Sequence, residues 1–106
     1  GEHRRSARFS CLGGAKVQML DSPAAPQWAT LSDISLGGCY IETVSPCPLD
    51  MRVDLWLDLN EIRLHAKGVV KIVHPNVGMG VEFLDLTPAH RDQLQRMITS
   101  VAAKPA

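Results

Sequence analysis

Between residues 51 and 72 the apolar side chains keep a strict two-residue alternation and change phase once. Met51, Val53, Leu55, Leu57 and Leu59 are apolar at odd positions, with Arg52, Asp54 and Asp58 between them, whereas Ile62, Leu64, Ala66, Val70 and Ile72 are apolar at even ones. Period-two alternation is the mark of a half-buried strand, so each tract must lay one face on a core. The two faces coincide only if the chain reverses at Asn60-Glu61, with Leu59 and Ile62 paired across a two-residue loop. A second hairpin is expected next, Ile72 pairing with Val77 across His74-Pro75-Asn76. Val77, Met79, Val81 and Phe83 then continue the buried face against Gly78, Gly80 and Glu82. Three strands in a meander result.

The same pattern recurs upstream. In residues 9 to 20, Phe9, Cys11, Ala15, Val17 and Met19 fall on one side and Ser10, Lys16 and Gln18 on the other. Residues 29 to 34 and 39 to 44 are β-like but alternate less cleanly, and the proline-punctuated segments 21 to 27 and 45 to 50 read as loops. The period changes after residue 86. Thr87 is a plausible N-cap, Pro88 suits the first helical position, and Leu94, Met97, Ile98 and Val101 recur at helical spacing. The expected fold is mainly all-β: a small six-stranded antiparallel β-barrel with one C-terminal α-helix over its end or flank. Its parts are a lead-in at 1–8, a barrel at 9–86 and a helix at 87–103.

At 106 residues and 45% hydrophobic side chains, one domain can bury about two thirds of its unfolded surface and needs no metal or disulfide staple. The leading Gly1 and the abrupt basic start suggest one domain cut from a longer protein. Cys11, Cys39 and Cys47 form an odd set without a CxxC pair, which disfavours a disulfide framework and a zinc ribbon and fits a reducing compartment. They read as small buried hydrophobes. No apolar run reaches the length of a membrane helix and no signal-peptide core follows the first residues, so a cytoplasmic protein without direct membrane insertion is expected.

Enzyme signatures fail one by one. Ser35 lacks the glycine two residues before it that a nucleophile elbow needs. His3, His65, His74 and His90 show no ligand spacing, so no metal site and no cofactor are expected. Gly13-Gly14-Ala15-Lys16 lacks the remainder of a P-loop, and Gly78-Met79-Gly80 is followed by Phe83 where a dinucleotide fingerprint has glycine. Net charge is zero, but residues 1 to 10 hold Arg4, Arg5 and Arg8 against Glu2 alone. A neutral chain with few aromatics is a poor binder of DNA or RNA. A small anion gripped by the arginines fits better.

Two polar constellations remain. Arg4-Arg5-Ser6-Ala7-Arg8 spaces two guanidinium groups four apart, able to close on a phosphate from two sides or to stack on a base. Asp33-Ile34-Ser35-Leu36-Gly37-Gly38 offers a carboxylate that can accept from the N–H edge of guanine, a hydroxyl, and a glycine that admits close approach. Asp33 and Ser35 equally suit turn chemistry ahead of the glycines. Trp28, Trp56 and Tyr40 read as packing residues before base-stacking platforms, although Trp56 interrupts a polar face and so caps the barrel side, touches the helix or marks a partner surface.

An R-x-x-x-R followed some 25 residues later by D-x-S-x-x-G, then a barrel, resembles a PilZ domain. Gly78-Met79-Gly80-Val81-Glu82-Phe83 is similar to the glycine-flanked strand late in such barrels. The resemblance implies a bacterial receptor for cyclic di-GMP that binds and does not catalyse. Carried over residue by residue, Arg4 and Arg8 hold phosphate and guanine, and Asp33, Ser35 and Gly38 line the guanine site. Arg5, His3 and Gly37 are further candidate contacts, and His3 is placed to bear on whether one or two ligands bind. Three like charges on a short lead-in are expected to be mobile without ligand and to order against the barrel with it. That movement would address an adjacent domain or protein partner. The alternative is a PilZ-like protein-interaction module without nucleotide affinity.

Overall fold

The computed structural model describes residues 7–102, which form a closed barrel of six antiparallel strands followed by one helix. The strands are β1 (Phe9–Met19), β2 (Gln27–Ile34), β3 (Gly38–Glu42), β4 (Arg52–Leu59), β5 (Ile62–His74) and β6 (Gly78–Leu84), and the helix is α1 (Pro88–Ala102). Around the barrel they run β1-β2-β3-β6-β5-β4, with β4 closing on β1.

The expected first hairpin is present: Leu59 pairs with Ile62, and Asn60 (φ 52°) and Glu61 (φ 68°) supply the two left-handed residues that a tight hairpin of this twist requires. Val53, Leu55, Leu57 and Leu59 from β4, and Leu64, Ala66 and Val70 from β5, are buried in one core. The second hairpin differs from expectation. A bulge between Val70 and Ile72 slips the register, so Ile72 pairs with Gly80, and the last pair before the Pro75-Asn76-Val77 turn is His74 with Gly78. Val77 sits in that turn, 58% exposed, and Ile72 is 46% exposed. The bulge adds one residue to β5, and beyond it Val73 takes the core-facing place that alternation assigns to Ile72.

The loop between β3 and β4 sends Cys47 into the core, where its N–H meets Met79 Sδ at 3.3 Å. The helix begins at the expected cap. Thr87 Oγ1 accepts the His90 N–H at 3.1 Å, and Leu94, Met97 and Ile98 are buried as α1 packs on β5 and β1. Asn60 Nδ2 donates to Ser100 Oγ at 2.9 Å, tying the β4–β5 hairpin to the helix. No described helix is long and apolar enough to cross a membrane.

Candidate functional site

Arg8 immediately precedes β1, and Asp33 is next to last in β2. Pairing of Ser10 with Asp33 sets Arg8 diagonally across the ladder from Asp33 on the outer surface. The Arg8 Nη2 donates to Asp33 Oδ2 at 2.8 Å, closing a contact between residues 25 apart in sequence. The two side chains are 59% and 24% exposed, so the pair contributes only about 0 to 1 kcal/mol to folding. Asp33 faces outward because β2 is bulged between Leu31 and Asp33. Leu31 and Ile34, three apart, both enter the core, and strict alternation would have put Asp33 inside and Ile34 outside.

The next residues form a tight turn held by one hydroxyl. Ser35 Oγ accepts the N–H groups of Gly37 and Gly38 at 3.2 Å each and donates to the Gly38 carbonyl at 3.2 Å. Ser35 N–H donates to the same carbonyl at 2.9 Å. Ser35 is the only polar residue buried among the described residues, and this network explains why that costs little. The turn chemistry open to Ser35 is therefore realised, whereas Asp33 takes Arg8 as its described partner. Gly37 carbonyl accepts the Phe83 N–H at 2.9 Å, fastening the turn to β6. The close approach that Gly38 permits is to protein: a Cβ there would lie 2.2 Å from the Val81 carbonyl oxygen.

Arg8, Asp33, Ser35, Gly37 and Gly38 thus line one cleft of about 290 Å³. His3, Arg4 and Arg5 lie outside the described residues. On its far side the cleft is bounded by Lys71 and Ile72 of β5 and by Gly80 and Glu82 of β6; none of the four is among the expected site residues, although Gly80 and Glu82 belong to the glycine-flanked strand. The glycine-flanked strand was a mark of the fold and carried no site expectation, and the β5 bulge that turns Lys71 and Ile72 outward left no periodic trace. Burial pushes the Cys39 thiol up, with the negative charge of Asp33 and then Cys11 adding to it. Tyr40 is likewise held in its neutral form, chiefly by desolvation and then by Glu42 and Asp33, and its hydroxyl meets His74 Nδ1 at 2.7 Å. The phenol lies against Gly78, where an added Cβ would stand 2.7 Å from Tyr40 Cε2.

Trp28 departs from the packing role expected of it, whereas Trp56 lies on the outer face that its polar neighbours indicated. Trp28 is 78% exposed, and Trp56 stands on the outside in a row that runs in register across four strands: Trp28, Lys16, Trp56, His65. The Lys16 ammonium lies 4.6 Å from the Trp56 ring centroid and 5.6 Å from that of Trp28, and His65 stacks on Trp56 at 4.5 Å. Outer-face stacking, not core burial, accounts for both indoles. This row borders a larger hollow of about 520 Å³ that contains none of the motif residues. No cluster of three or more metal-ligating side chains occurs among the described residues.

A family model described as PilZ domain matches residues 2–100. The chain is similar to the PilZ domain of YcgR from Escherichia coli, solved with c-di-GMP, at a TM-score of 0.80 and 19% identity over 96% of this chain and 93% of that one. The MrkH–c-di-GMP complex of K. pneumonia gives a TM-score of 0.79 and 17% identity over 97% and 53%. The inhibitor of motility MotI/DgrA of Bacillus subtilis gives 0.78 and 15% over 99% and 54%. The chain spans about half the length of these last two proteins. No curated protein sequence matches.

Proposed function

The chain belongs to the PilZ domain family, and on that premise we propose that it is a receptor for the bacterial second messenger cyclic di-GMP. The observation that carries this reading is the meeting of the two motifs: Arg8, from R-x-x-x-R, and Asp33, from D-x-S-x-x-G, touch at 2.8 Å on the rim of one cleft. Two solved relatives of the same fold hold c-di-GMP. In the proposed complex Asp33 accepts the guanine N–H edge and the Arg8 guanidinium turns its remaining N–H groups to phosphate or stacks on the base. Ser35 acts mainly by shaping the turn that exposes the Gly37 and Gly38 backbone. Arg4 and Arg5, with His3 beside them in sequence, supply the second guanidinium arm. The biochemistry is binding without turnover, and an adjacent domain or protein partner reads the bound state. A cytoplasmic location belongs to the same reading.

The test is isothermal titration with cyclic di-GMP, using GTP and a linear dinucleotide as controls. Selective binding at micromolar concentration or tighter is expected, and a ratio near one or two assigns the stoichiometry. No heat at several temperatures refutes the receptor reading and favours the protein-interaction module, for which the exposed Trp28 face is the natural surface.

A further inference from the structure

Two of the barrel's three register shifts flank the same cleft; the third lies in β1 between Ser10 and Gly13. In β2 the slip lies between Leu31 and Asp33, and in β5 between Val70 and Ile72. Each leaves core residues three apart, Leu31 with Ile34 and Val70 with Val73, and turns the residues between them toward solvent. On β2 this presents Asp33; on β5 it presents Lys71 and Ile72 side by side. Asp33, Tyr40, Gly80 and Ile72 follow one another in register across β2, β3, β6 and β5. Three inter-strand steps of ~4.8 Å separate the ends of that row by about 14 Å. In the middle of the cleft Gly38 and Gly80 carry no side chains, and Ile72 leans over Gly80, its Cβ 3.3 Å from where a Gly80 Cβ would stand. Arg8 guards one end and Lys71 the other. Glu82 lies on the same wall, yet Lys71 makes no ion pair among the described residues.

We propose that the β5 bulge builds the second half of the ligand site. Lys71 engages the phosphodiester group farther from Arg8, and Ile72 bears the apolar face of the ligand over Gly80. This rests on the cyclic di-GMP reading. A ligand with two phosphodiester charges on opposite sides of a ring suits two cations at the two ends of an open trough better than a single basic cluster. Lys71 is then the residue that distinguishes a doubly charged cyclic dinucleotide from a ligand that fills only the Asp33 end.

The experiment titrates cyclic di-GMP into the wild-type protein and into Lys71→Ala, Lys71→Glu, Lys71→Arg and Ile72→Ala, at low and high salt. Lys67→Ala, an exposed lysine of the same strand outside the cleft, is the control. Lys71→Ala should weaken binding about 10-fold and flatten its salt dependence, Lys71→Glu should weaken it more, and Lys71→Arg should stay near wild type. Ile72→Ala should lose affinity without changing the salt dependence. Thermal melting of the lysine variants should not move, because Lys71 is exposed. Wild-type binding with Lys71→Ala unchanged, or with Lys67→Ala equally weakened, overturns the proposal and leaves the receptor reading standing. No binding by the wild type overturns both.

Discussion

Replacing Gly38 by alanine should destabilise the barrel, whereas the same change one residue earlier should not. The added Cβ at 38 would lie 2.2 Å from the Val81 carbonyl oxygen, 3.1 Å from the Val81 carbonyl carbon and 3.2 Å from Glu82 Cα, all backbone atoms of the neighbouring strand. Relief requires β3 and β6 to part by about an ångström where Gly38 pairs with Glu82. The Gly38 carbonyl also holds the Ser35 turn, so parting strains those bonds too. Overpacking costs about 1 to 3 kcal/mol and a weakened backbone hydrogen bond about 1 kcal/mol, giving about 2 to 4 kcal/mol in all. For a domain of this size that lowers the melting temperature by about 10 to 25 °C. At Gly37 the nearest atom to a new Cβ is Ser35 Oγ at 4.0 Å, and the backbone there is not left-handed. Gly37→Ala should therefore be neutral or slightly stabilising, since alanine has less freedom to lose on folding. Thermal and urea unfolding followed by circular dichroism measure both variants. A Gly38→Ala protein melting within about 2 °C of wild type, or a Gly37→Ala protein as damaged as Gly38→Ala, would refute the strand-contact account.

Arg8→Ala and Asp33→Ala should each weaken cyclic di-GMP by about 1 to 3 kcal/mol in titration, because each leaves a polar ligand group without its partner. Both should shift unfolding by less than about 1 kcal/mol, since the pair is exposed, and an unfolded variant would make its residue structural. Glu61→Gly should raise stability by about 0.5 to 1 kcal/mol in urea titrations, as a glutamate at φ 68° carries a strain that glycine does not. At alkaline pH the protein should lose stability. Burial raises the Cys11, Cys39 and Cys47 thiols above their ordinary 9.0, so the folded state keeps protons that the unfolded chain releases. This stabilisation is complete below pH 9 and falls as pH rises above it, and Tyr40, raised from 10.0, adds to the fall. Unfolding free energies flat from pH 9 upward would contradict the burial of these groups.

From Val53 to Val70 the alternation in the sequence is the one the barrel keeps. The Leu59–Ile62 pair follows from the odd-to-even switch, and the helix from Thr87, Pro88 and the spacing of Leu94, Met97 and Ile98. The arginine and aspartate motifs named one side of the cleft, because charged residues at unusual spacing stay visible in a linear chain. Outer-face stacking did not. Trp28, Lys16, Trp56 and His65 come from four strands, and only the barrel's register brings them into one row. The role of Ser35 was ambiguous for a local reason: a hydroxyl ahead of two glycines suits a ligand and a turn alike, and the described hydrogen bonds establish the turn, which is compatible with a ligand role beside it.

The second wall of the cleft escaped for the reason that it exists. A bulge inserts one residue, and from there the buried face moves to positions of the other parity, so Ile72 completes an unbroken pattern in the sequence and reads as core while Val73 takes that place in the barrel. The blurred stretch in β2 has the same origin, since Leu31 and Ile34 cannot both lie on one face of a regular strand. A closed, regular barrel presents side chains at every second residue and offers a ligand a convex surface. Adding a residue to each of two strands places consecutive side chains outside, Lys71 beside Ile72, and the side-chain-free Gly38 and Gly80 between the bulged strands leave a trough. In such a chain the places where the strand register slips are where binding groups should be sought. If that reasoning is right, deleting Lys71 removes the bulge and should leave a folded barrel with Val70 and Val73 still on the core, Ile72 still outward opposite Gly80, and affinity for cyclic di-GMP lowered at least as far as by Lys71→Ala. A deletion variant that still binds as wild type would show that the bulge serves the fold alone.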